Sequence, residues 1–95
     1  MNYICIKWKH SVPSDPVIFY LELDEQRFEV RRVEIYADGR YGFASKTESI
    51  GGAGLGELRT QSLNAINADP VFEASEITRQ QFEQEWSKRP GQGAR

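Results

Sequence analysis

Strand-like segments fill the first half of the chain and a capped helix closes it. That order predicts an α+β fold: a four- to five-stranded antiparallel sheet with a C-terminal helix packed on one face and a short additional helix. Two local signals carry most of the weight. Asp38-Gly39 lies between aromatic and β-branched stretches, and a type I′ hairpin turn favours that dipeptide because both central residues have positive φ. Thr78 and Gln81 have capping-box spacing, with Ile77 and Phe82 at the two staple positions of the same helix start. On this plan, function is expected on the sheet face turned away from the helix.

The first strand is residues 3–8, where Ile4, Ile6 and Trp8 alternate with Tyr3, Cys5 and Lys7. Two prolines and two serines make residues 10–16 a loop. Val17 to Asp24 alternates again and is the second strand. The third runs from about Arg27 to Ala37, and its apolar parity changes from Phe28 and Val30 to Val33 and Ile35, which predicts a β-bulge near Arg31-Arg32. After the Asp38-Gly39 turn, Arg40 to Lys46 forms the fourth strand. Ser49 to Gly56 is too glycine-rich to stay regular for long. Ser62 followed by Leu63 and Ile66 suggests a short helix ending before Asp69-Pro70. Phe72 to Ile77 reads as a fifth, short strand, and the C-terminal helix covers Arg79 to about Lys88 with Phe82 and Trp86 as its buried stripe. Pro90 stops it. Residues 1–89 are thus one domain, and residues 90–95 are expected to be a disordered tail.

The 95 residues carry 12 Lys and Arg against 14 Asp and Glu, a net charge of −2 in well-mixed order. This speaks against both an acidic disordered segment and a basic nucleic-acid footprint. Arg27, Arg31, Arg32 and Arg40 are locally basic, but Glu22, Asp24, Glu29, Glu34 and Asp38 interleave with them and would repel phosphates. Cys5 is the single cysteine, so no intrachain disulfide forms and a cytoplasmic setting fits. Lys7, Lys9 and His10 interrupt any signal-peptide core, and the longest apolar run, Val17 to Leu21, is too short to span a membrane. Cys5 and His10 fall short of a zinc set, and no cofactor is indicated. Gly52-Ala53-Gly54-Leu55-Gly56 lacks the spacing of a phosphate-binding loop, leaving a plain connection or a loop that moulds onto a partner.

Two sets of residues are candidates for function. If Glu25-Gln26 is a two-residue turn, Asp24 faces Arg27, Glu22 faces Glu29, and Tyr20 faces Arg31. Glu22, Asp24, Arg27, Glu29 and Arg31 would then form a lattice of alternating charge, either a plain solvated face or a surface for a protein partner, where Arg and Tyr are favoured contacts. The second set is Trp8 and His10, a candidate ligand site. His10 is the lone imidazole and would supply any general base, with Asp15, Asp24 or Glu22 as its orienting carboxylate. Otherwise it caps the loop through a backbone carbonyl.

The pattern Trp8-x-His10-Ser11, Pro16, Glu22-Leu23-Asp24, Arg27-x-Glu29-x-Arg31-x-Val33-Glu34, Asp38-Gly39, Asp69-Pro70-x-Phe72 and Phe82-x-x-x-Trp86 resembles a family of short bacterial single-domain proteins known only as a domain of unknown function. The resemblance covers about residues 3–87. It implies one complete domain of bacterial or phage origin and carries no activity; proteins of this size and style are similar to immunity or accessory factors. The leading expectation is therefore a non-enzymatic protein-binding module acting through Glu22, Asp24, Arg27, Glu29 and Arg31, with a toxin neutralised by an immunity protein as its most concrete form. A small enzyme or ligand-binding domain using His10 is the alternative. An exposed edge at the first or fifth strand could pair two copies, so monomer and homodimer both remain open.

Overall fold

The computed structural model describes residues 1–91. The part of the expected tail from Gln92 to Arg95 lies outside the described residues. In chain order the elements are β1 (Asn2–Trp8), β2 (Ile18–Leu23), β3 (Glu29–Ile35), β4 (Tyr41–Ser45), β5 (Ser49–Ile50), α1 (Leu63–Asn67), β6 (Phe72–Glu76) and α2 (Arg79–Trp86). The fold is α+β with one antiparallel sheet in the order β5-β4-β3-β2-β1-β6. Among the described residues no helix is long and apolar enough to cross a membrane.

Six strands replace the expected four or five. The added one, β5, has only two residues, paired with Phe43 and Ala44, and is too short to show an alternation that sequence reading could detect. It can form because Gly51 takes φ +68° directly against β4. A Cβ there would stand 2.7 Å from the Tyr41 carbonyl oxygen.

The β2–β3 hairpin also differs from expectation. Its loop has three residues, since Asp24 N–H donates to the Phe28 carbonyl, and Arg27 sits in the left-handed region at φ 70°. The bulge lies at Val30, one residue before the expected place: Leu23 pairs with Glu29 but Glu22 pairs with Arg31. One added loop residue and one bulge residue shift the register by two. Glu22 therefore faces Arg31 rather than Glu29, and Glu29 moves to the opposite face.

Both sheet faces are covered. On one, Tyr3, Val33 and Phe43 pack against Phe82 and Trp86 of α2. The Thr78–Gln81 capping box holds the start of that helix, with Thr78 Oγ1 accepting from Gln81 N–H at 3.0 Å and Gln81 Oε1 accepting from Thr78 N–H at 2.8 Å. On the other face, Ile4, Leu21 and Leu23 pack with Ile6, Phe19 and the α1 residues Leu63 and Ile66. The segment 51–62 crosses this second face on its way to α1. It starts against Gly42 of β4, where an added Cβ would meet that of Ala53 at 3.2 Å. The second face is thus only partly open, contrary to the simple two-layer plan.

The strand order decides between the two expected edges, the first strand and the one at residues 72–77. β1 is internal, between β2 and β6. β6 is an edge, and α1 shields it: Asn67 Nδ2 donates to the Ala74 carbonyl at 2.9 Å, and Ala74 N–H donates to Asn67 Oδ1 at 2.6 Å. One side-chain amide thereby occupies the pair of backbone groups that a further strand would use.

Candidate functional site

The five hairpin residues do not form one charged face, because the register places them in three surroundings. Glu22 and Arg31 lie under α2, with Glu22 only 6% exposed. Arg31 Nε and Nη2 donate to the two Glu22 carboxylate oxygens, Tyr3 donates its hydroxyl to Glu22 Oε2 at 2.9 Å, and Arg31 Nη2 reaches Glu83 Oε2 of α2 at 2.7 Å. The guanidinium also lies over the Phe82 ring, 4.9 Å from its centroid. Burial opposes ionisation of Glu22, but the hydrogen bonds from Arg31 and Tyr3 outweigh it and lower its pKa. The Arg31 hydrogen bond likewise lowers that of Glu83. These residues clamp sheet to helix.

Asp24 builds the hairpin loop, its Oδ1 accepting from Gln26 and Phe28 N–H at 2.9 and 3.0 Å. Arg27 and Glu29 anchor the crossing segment. Arg27 Nε and Nη2 donate to the Thr60 and Gln61 carbonyls at 2.9 and 2.7 Å, and Gly56 N–H donates to Glu29 Oε1 at 2.9 Å.

His10 has both ring nitrogens engaged. Val12 N–H donates to Nδ1 at 3.0 Å, which leaves Nε2 to carry the proton that it donates to the Pro16 carbonyl at 2.8 Å. The imidazole closes the loop after β1 and packs at a tilt against Trp8, with 4.3 Å between centroids. Glu22 pairs with Tyr3 near the other end of β1. At about 3.3 Å per residue, His10 and Glu22 are on the order of 20 Å apart. The structure does not bring them together, and Asp24 lies farther still along the same direction.

A different arrangement emerges on the second face. The crossing segment, α1 and the sheet enclose an open groove of ≈ 480 Å³, with Ile6, Phe19 and Leu21 from the sheet, Ala65 and Ile66 from α1, residues 56–61 from the crossing segment, and Phe72. Trp8 backs it by stacking on Phe19 and Phe72. Arg32 lines the groove with its guanidinium over the Phe19 ring at 4.7 Å. Its Nε donates to Glu34 at 2.8 Å and its Nη1 to both oxygens of Glu29 at 3.0 Å. Two carboxylates and an aromatic face therefore fix the guanidinium plane, while Nη2 has no hydrogen bond to a described residue. Leu58, 84% exposed, stands on the groove wall.

Sequence reasoning passed over this groove, counting Arg32 only as one arginine of a basic group. One signal was present: Arg32 and Glu34 share strand parity with neither Val33 nor Ile35, so they lie on the face opposite those apolar residues, beside Leu21 and Phe19 once the strands pair. Among the described residues no group of three His, Cys, Asp or Glu could hold a metal ion. The arrangement offers shape, apolar surface and one oriented donor, which are the means of binding.

A family model described as a domain of unknown function, DUF6881, matches residues 2–91. The chain belongs to the DUF6881 family. Comparison with curated proteins and with solved structures gives no match. The family match spans all six strands and both helices, so the clamp and the groove both lie within the DUF6881 domain.

Proposed function

We propose that this DUF6881 domain is a non-enzymatic binding module for another protein, and that the groove between the crossing segment, α1 and the sheet is its docking surface. The observation that carries this reading is the combination of an apolar floor with a guanidinium fixed in plane by Glu29 and Glu34, whose Nη2 has no hydrogen bond among the described residues. Burial of Leu58 and of the floor would supply affinity, and the fixed donor would supply orientation. Of the five hairpin residues, Arg27 and Glu29 serve this surface by holding the crossing segment in place. Binding without catalysis is the activity an immunity or accessory protein needs.

The test uses Ala65→Trp, which fills the groove from an exposed position of α1, and Gln80→Trp, the same change on the exposed side of α2. Tagged wild type and both variants are used for affinity capture from cells that produce the protein. One stoichiometric protein retained by wild type and Gln80→Trp but lost by Ala65→Trp is the expected result. No such protein, or equal retention by all three, overturns the reading.

A further inference from the structure

The groove's charge and donor geometry specify what kind of segment fits it. Arg32 is shared by Glu29 and Glu34, so the three together carry one net negative charge although a guanidinium lies at their centre. An incoming carboxylate or phosphate would meet two carboxylates already in possession of the cation, and like-charge contact is strongly unfavourable where water is partly excluded. A neutral carbonyl is the acceptor that matches Nη2, which makes no hydrogen bond among the described residues. The rim extends the same sign. Glu57 and Asp69 line the groove without an ion pair among the described residues, against Arg59 alone, whose guanidinium lies over the Phe28 ring. Three carboxylates, Glu29, Glu57 and Asp69, thus line the groove against the guanidiniums of Arg32 and Arg59, and the buried Glu34 adds its charge behind Arg32.

Resting on the docking reading above, we infer that the groove takes a cationic amphipathic peptide segment of the partner protein. Its apolar side chain lies on Phe19 and Ile66, its neighbouring carbonyl accepts from Arg32 Nη2, and its flanking Lys or Arg meets Glu57 and Asp69. Such a segment combines peptide acceptors with an apolar anchor, and its charge complements the rim.

The experiment is selection of a random dodecapeptide display library on the immobilised full chain, with the Ala65→Trp chain as counter-selection. The expected sequences place Leu, Met or Phe beside Lys or Arg. The most enriched one, synthesised with blocked termini, is then titrated against wild type and a Glu57→Lys, Asp69→Lys double variant. Both changed residues are exposed, and thermal melting of the variant checks that it folds. Reversing two rim charges is expected to weaken binding about fivefold or more at low salt, with the difference shrinking as salt rises. Groove-dependent enrichment of acidic sequences, or affinity unmoved by the charge reversal, overturns the cationic partner while leaving the docking reading standing. No enrichment, or enrichment equal on Ala65→Trp, overturns both.

Discussion

Replacing Glu22 by Ala tests the clamp between sheet and α2. The substitution removes two charge-assisted hydrogen bonds from Arg31 and one from the Tyr3 hydroxyl, and it leaves Arg31, whose side chain is 20% exposed, as a largely buried cation. Breaking a buried pair costs about 3–5 kcal/mol when the surviving charge has no other partner. Arg31 keeps Glu83 on α2, but that carboxylate is 38% exposed and worth ~1 kcal/mol or less. Glu22→Ala should therefore destabilise the domain by about 2–4 kcal/mol, a large share of the ~5–10 kcal/mol expected for its size. Glu83→Ala should cost ~1 kcal/mol or less. Urea denaturation followed by the fluorescence of Trp8 and Trp86 measures both, with coincident circular-dichroism transitions as the check on two-state unfolding. At roughly 4–8 °C per kcal/mol the thermal midpoints should also separate clearly. Equal losses for the two variants, or a Glu22→Ala cost below about 1 kcal/mol, would refute the view that the buried partner dominates.

Glu22 and Glu83 both titrate below their ordinary value of 4.5 in the folded state, so their stabilisation is complete above about pH 4.5 and is lost as pH falls through the folded values. Urea midpoints should drop below that pH in wild type and drop less in Glu22→Gln. Asn67→Ala should uncover the outer edge of β6 at Ala74, costing ~1 kcal/mol and raising concentration-dependent self-association in sedimentation velocity above that of wild type. Gly51→Ala combines a positive φ with a Cβ 2.7 Å from a backbone oxygen, so a loss of ~2 kcal/mol or more in thermal or urea melts is expected.

The parts of the fold that the sequence made legible are those written in adjacent residues. Alternation along residues 3–8 and 17–24 marks strands because side-chain direction has period two, and Thr78 with Gln81 marks a helix start because the capping bonds span three residues. What stayed hidden was decided by length or by distance. The sequence between Asp24 and Phe28 suits either a two- or a three-residue loop, and that single difference, with the bulge at Val30, turned a charge lattice into a buried clamp and a groove wall. The bonds that define both sites join residues far apart: Arg31 with Glu83, Arg27 with Thr60, Glu29 with Gly56. No local pattern encodes such pairs. The role of Arg32 is hidden from local sequence for the same reason, since it comes from Phe19 across the hairpin as much as from Glu29 and Glu34 in its own strand.

Site-specific photo-crosslinking in cells addresses the groove most directly. A benzophenone amino acid is placed at Leu58 on the groove wall or, for comparison, at Gln80 on the exposed surface of α2. A discrete adduct to one protein from position 58, absent from position 80, is the predicted result. No adduct from position 58, or the same adduct from both positions, would contradict the assignment of the groove as the docking surface.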